Sequence, residues 1–194
     1  MSANEAASAG LELPVATELA ALGAARFERT RRALEAAFDT QADRLPGACR
    51  AMAARFHAGG RLLAWGDGAA ASDAWHVAVE FVHPVIVGKR ALPALVLDGD
   101  PLAALQLLGR PHDMVLAIAS GGGDAAAARL LAAARRRGLL TLLLAGPAPA
   151  PEVEADFRFA VEDEDPMVVQ EVHETLYHVL WELVHVFLEH PGLL

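Results

Sequence analysis

Cysteine is nearly absent. Cys49 stands alone in 194 residues, which excludes a disulfide framework and any zinc or iron–sulfur site built from cysteines. Although 54% of the residues are apolar, no uninterrupted run reaches the roughly 18 residues that a membrane-spanning helix needs. Bases are outnumbered, 16 against 25 acids, for a formal charge of −9. Such a chain repels phosphate backbones, so no direct nucleic-acid partner is expected. The basic run Arg135–Arg137 precedes Gly138, where a helix would end and positive charge suits its dipole. The first twenty residues have neither the basic start nor the apolar centre of a signal peptide, and they show no sustained period. Residues 1–20 are read as a loose arm, residues 21–194 as one domain, and the protein as soluble and cytoplasmic. A chain of this length buries roughly 70% of its extended surface without help from metal or disulfide.

What is present is an ordered alternation. Apolar residues at helical spacing run from about Arg26 to Ala42, and a second helix follows Leu45-Pro46-Gly47 as far as His57. Short, continuously apolar runs come next: Leu62–Trp65, Ala94–Leu97, Met114–Ala119, Leu139–Leu144 and, more weakly, Phe157–Val161. Helical stretches separate them near Ala69–Val82, Leu102–Leu108 and Asp124–Arg137. Strands without polar alternation are buried on both faces, and their alternation with helices predicts a parallel sheet between helical layers. Pro166 opens a last helix to about Glu189, with an apolar stripe of Val169, Val172, Leu176, Val179, Leu180, Leu183 and Phe187.

In such sheets ligands bind beyond the carboxyl ends of the strands, where glycine-rich turns enter helices. Gly66-Asp67-Gly68 and Ser120-Gly121-Gly122-Gly123-Asp124 are two such turns, and neither matches a Walker or dinucleotide fingerprint. His76 and Glu80 are spaced i, i+4 on one helix face, with His83 continuing it. On the last helix Glu174, His178 and His185 fall away from the apolar stripe. An imidazole and a carboxylate one turn apart can chelate a divalent ion or exchange protons, and aldose–ketose isomerisation needs such a base and acid. The alternative is solvated surface, which is the reading given to His83 and His185.

These elements resemble the sugar isomerase (SIS) domain family, in particular its sedoheptulose 7-phosphate (phosphoheptose) isomerase branch. The resemblance rests on Gly66-Asp67-Gly68 with Ser72-Asp73-Ala74-Trp75-His76-Val77-Ala78-Val79-Glu80, on the block Asp113–Gly122, and on Gln170-Glu171-Val172-His173 with His178. It implies a three-layer α/β, flavodoxin-like fold: a five-stranded parallel sheet flanked by helices, with two N-terminal helices and one long C-terminal helix. It also implies a homo-oligomer, a tetramer or dimer, with sites between subunits. Zinc, Zn(2+), would fall on His76, Glu80, Gln170 and His178. Glu80 and His178 would be the catalytic base and acid. A sugar phosphate or related carbohydrate derivative would lie against Gly66, Asp67, Gly68, Ser72, Asp98, Ser120, Gly121, Gly122 and Asp124.

The chain departs from that pattern at the phosphate cradle. Relatives offer Asn, two glycines and Ser in the first loop, where this chain has Gly66-Asp67-Gly68-Ala69-Ala70. They offer Ser-Thr-Ser-Gly-Asn-Ser in the second, where it has Ala119-Ser120-Gly121-Gly122-Gly123-Asp124. Asp124 suits a helix N-cap and would fill the anion seat itself. A carboxylate about 4 Å from a phosphate costs on the order of 4 kcal/mol at intermediate dielectric. The segment after Asp98-Gly99-Asp100-Pro101 is shorter than in the isomerases, leaving Asp98 or Asp100 for one contact. Glu162-Asp163-Glu164-Asp165 stands where relatives carry Ser, Thr and Arg, and reads as a solvated helix cap or an acidic mouth. Two functions follow. One is a sugar-phosphate isomerase with a degraded phosphate loop. The other is a non-catalytic SIS module that binds a carbohydrate derivative or a protein partner as a regulator, as some relatives do.

Overall fold

In the computed structural model, which describes residues 13–120, 125–147 and 153–194, the five apolar runs form one sheet. The strands are β1 (Leu62–Gly66), β2 (Ala94–Val96), β3 (Met114–Ala119), β4 (Leu140–Ala145) and β5 (Phe157–Ala160). All pairings are parallel, in the order β2-β1-β3-β4-β5. The helices are α1 (Leu13–Gln41), α2 (Leu45–His57), α3 (Ala70–Val82), α4 (Pro101–Leu108), α5 (Ala125–Arg136) and α6 (Pro166–Glu189).

Every residue of β3 and β4 is buried, and the two-residue period of a strand divides them between two cores. Leu62, Ala64, Met114, Leu116, Ile118, Leu142 and Leu144 face the layer of α1, α2, α3 and α6. Leu63, Trp65, Val115, Ala117 and Leu143 face the layer of α4 and α5. The expected three-layer arrangement is what the chain adopts. Connections leave β1 toward opposite edges of the sheet, so the crevice that binds ligands in open α/β sheets opens above the carboxyl ends of β1 and β3.

Three readings change. Helix α1 begins at Leu13, inside the stretch read as a loose arm, while residues 1–12 lie outside the described residues. Its first turns are rich in Ala and Leu, which favour helix, but Val15, Leu19 and Leu22 stay exposed, so no buried period marks the start. The acidic run before α6 supplies the helix cap, as one reading had it, but two of its four acids are paired with arginines of α1 and are not simply solvated. Asp165 caps α6 by accepting from Met167 N at 3.0 Å and also pairs with Arg26 at 2.5 Å, while Asp163 pairs with Arg29 at 2.5 Å. Hydrogen bonding from Arg29 holds the Asp163 carboxyl below its usual range. His185, read as surface, is 1% exposed. Its Nδ1 and Nε2 lie 2.8 and 2.9 Å from the carbonyls of Trp181 and Arg90. The reason is that α6 is covered on several sides, so its buried band also takes in Val168, His173, Tyr177, Trp181 and Val184. His83 is exposed, as read.

Candidate functional site

Helices α3 and α6 run side by side in the same direction, joined by three cross-links. Gln170 Nε2 donates to Asp73 Oδ1 at 3.1 Å. Tyr177 Oη lies 2.9 Å from His76 Nδ1, and Trp181 Nε1 donates to the Glu80 carbonyl at 2.9 Å. The i, i+3, i+7 spacing of Asp73, His76 and Glu80 on α3 puts all three on the face that meets α6.

This seam brings the sequence candidates together within one chain. His76 Nε2 is 3.4 Å from Glu80 Oε1, and the His76 and His178 rings meet edge to face, centroids 5.2 Å apart. Glu174, noted in the sequence only for its spacing, also reaches His76, with Oε1 3.6 Å from Nδ1. One donor atom each from His76, Glu174 and His178 lies within 4.8 Å of the others. Gln170 spends its amide nitrogen on Asp73, which leaves Oε1 as the atom available to a ligand. Two imidazoles and a carboxylate are donor types that suit zinc, so His76, Glu174 and His178 fit such an ion by their chemistry, with Glu80 beside His76.

Three buried polar atoms near this crevice have no hydrogen-bond partner among the described residues: Asp73 Oδ2, Ser120 Oγ and His173 Nδ1. Burial raises the Asp73 carboxyl above its usual range, against the opposing hydrogen bond from Gln170. Ser120 follows the last residue of β3, and His173 Nε2 donates to Ala145 O at 3.1 Å, at the end of β4. Buried atoms left unpaired are costly.

His173 gives a direct pH test. Burial pushes its imidazole down from 6.5 to about 4. Above 6.5 the ring is neutral folded or unfolded and adds no pH dependence. Between the two values the unfolded chain takes the proton and the folded chain does not, so stability falls as pH is lowered, and below about 4 the penalty is complete. We expect a loss on the order of 3 kcal/mol across that window. Urea titrations of wild type and His173→Leu should show the gap between the two curves shifting by that amount from pH 7 to pH 4. Parallel curves would contradict it.

The first glycine turn is built for close approach. A Cβ on Gly66 would lie 2.1 Å from Ala70 O, and Gly68 has φ +55°. Asp67 Oδ1 accepts from Gly68 N and Asp98 Oδ1 from Gly99 N, at 2.8 and 2.9 Å. Both carboxylates line a cavity of about 330 Å³ with Gly66, Gly68 and Trp75, and no described residue lining it is basic. Asp100 is used as the α4 cap, accepting from Leu102 N and Ala103 N, which leaves Asp98 for any ligand contact. Ser72 donates its hydroxyl to Ala69 O at 2.7 Å. Gly121, Gly122 and Asp124, and with them the expected occupation of the anion seat, lie outside the described residues.

A model of the SIS domain matches residues 27–146. The chain belongs to the SIS domain family. Its curated SIS relatives include the phosphoheptose isomerase of Solidesulfovibrio magneticus, 33% identical over 167 residues covering 78% of this chain and 82% of that protein. The phosphoheptose isomerase of Roseiflexus sp. is 32% identical over 177 residues, covering 82% and 88%. Among solved SIS structures, a phosphoheptose isomerase from Francisella tularensis superposes with a TM-score of 0.75 at 18% identity, covering 87% of this chain and 98% of that one. The one from Neisseria gonorrhoeae gives 0.71 at 24% identity, covering 86% and 98%. The fold is therefore that of the SIS phosphoheptose isomerases, and the sequence resembles theirs over most of its length.

Sequence reasoning assigned no role to Asp73 or Tyr177. Tyr177 carries one available signal: it is the only tyrosine in the chain, seven residues after Gln170 and next to His178.

Proposed function

We propose that this SIS protein is a divalent-metal-dependent aldose–ketose isomerase acting on a sugar phosphate or a closely related carbohydrate derivative. The observation that supports the reading is His76 on α3, set 3.4 Å from Glu80 on its own helix and packed edge to face on His178 of α6. Glu80 is the base that removes the proton from the carbon next to the carbonyl, and it returns the proton to the neighbouring carbon. His178 serves as acid at the substrate oxygen. His76, Glu80, Gln170 and His178 would hold zinc, which when bound polarises the carbonyl and acidifies the adjacent carbon. Asp67, Asp98 and Trp75 offer the sugar two hydrogen-bond acceptors and an aromatic face, suited to hydroxyl groups. A second copy of the chain is proposed to cover the exposed apolar residues of α3 and the segment after it, Trp75, Val79 and Val87.

The test is to incubate zinc-loaded protein with sedoheptulose 7-phosphate and with hexose and pentose phosphates, following aldose and ketose by NMR. Interconversion of at least one pair is expected. A zinc-loaded protein that turns over none of them would contradict the enzymatic reading and favour the non-catalytic binding module.

A further inference from the structure

The two ring nitrogens of His76 have different surroundings. Nε2 faces Glu80 on its own helix, with Oε1 at 3.4 Å. Nδ1 faces α6, with the Tyr177 hydroxyl at 2.9 Å and Glu174 Oε1 at 3.6 Å. An ion therefore has two candidate seats. One lies beside Nε2 and is shared with Glu80. The other lies beside Nδ1 and is shared with Glu174 and His178, whose donor atoms are close enough to take it.

A nitrogen that coordinates an ion has no lone pair or proton left for a hydrogen bond, so the partner of one nitrogen decides the work of the other. The partner on Nδ1 is firmly placed. Tyr177 is 1% exposed and belongs to the main core. Its ring meets both imidazoles edge to face, at 5.3 Å from His76 and 5.0 Å from His178.

We propose that Tyr177 is a positioning residue whose hydroxyl accepts the Nδ1–H of His76, commits Nε2 to the ion on the Glu80 side, and leaves Glu174 outside the coordination shell. This rests on the metal-centre reading above but not on turnover. Outer partners of this kind orient a ligating histidine and fix its tautomer.

The experiment measures zinc affinity of the metal-stripped full chain against a chromophoric chelator, together with the visible spectrum of the cobalt(II)-loaded protein. Tyr177→Phe keeps the ring and its packing and should weaken zinc binding by about 10–100-fold with the thermal melt near that of wild type. Tyr177→Leu loses the packing as well, so it should melt lower while binding zinc no better than the Phe variant. If Tyr177 served only to fill space, the Phe variant would bind zinc as wild type does, and the proposal would be overturned. Glu174→Gln should leave the cobalt bands in place and cost less affinity than Glu80→Gln. The reverse order, with shifted bands in Glu174→Gln, would put the ion at Nδ1 and also overturn it. Wild-type protein that binds no zinc would remove this inference and the metal centre together. Zinc binding weakened by Tyr177→Phe in a protein without isomerase turnover would uphold this inference while removing the enzymatic one.

Discussion

Glu80→Gln should lower kcat for sugar isomerisation by about 10²–10⁴-fold, the usual contribution of a positioned general base. The side chain is largely enclosed, 15% exposed, and points at His76 across 3.4 Å. Glutamine keeps the shape and one oxygen but cannot accept a proton from carbon. The variant should fold, because the cross-link from Trp181 ends on the Glu80 backbone carbonyl and not on its carboxylate. Steady-state rates on the substrate identified in the NMR survey, at saturating zinc, read the effect on chemistry apart from any loss of metal. A rate within a few-fold of wild type would show that the proton is taken by another group.

At the amino ends of the central strands, Asp113→Ala should cost about 3–5 kcal/mol of stability, the penalty for breaking a buried charge pair. Asp113 is 1% exposed. Its Oδ1 accepts from Arg61 N and Nε at 2.9 and 3.2 Å, and its Oδ2 accepts from Arg61 Nη2 and Arg110 N at 2.7 and 2.9 Å. These bonds join the residue before β1 to the residue before β3, and so hold the register Leu62↔Met114 of the central pair. Without the carboxylate, the guanidinium of Arg61, itself 16% exposed, keeps only the Leu108 carbonyl, and two backbone N–H groups lose their partner. The urea midpoint should fall with an unchanged slope. Activity per folded molecule should hold, since none of the hydrogen bonds of Asp113 reaches α3 or α6. A midpoint within about 1 kcal/mol of wild type would mean that water replaces the carboxylate.

The fold was readable because its strands are apolar on both faces and its helices are marked by proline, glycine and aspartate. Met114–Ala119 and Pro166–Glu189 coincide with β3 and α6 at both ends. The early turns of α1 were not readable, since helix propensity without a buried face leaves no period in the sequence. His185 was misread for the opposite reason: a helix covered from several sides buries positions that a single stripe assigns to water. Within the site, the local pairs were legible, His76 with Glu80 and Glu174 with His178, because i, i+4 spacing is itself geometry. The contacts Asp73–Gln170 and His76–Tyr177 span 97 and 101 residues. They depend on how α3 and α6 pack, which no local spacing encodes. The family pattern named four candidate ligands, but it gave no notice that a tyrosine and a further glutamate would stand against one of them.

The central claim, that the α3–α6 seam is a metal centre performing sugar isomerisation, is tested most directly by one titration. Zinc is added stepwise to metal-stripped protein in the presence of sedoheptulose 7-phosphate while aldose formation is recorded. The account predicts a rate that starts near zero, rises linearly and breaks at one zinc per chain. Isomerisation at full rate in the metal-stripped protein, or none at saturating zinc, would contradict it.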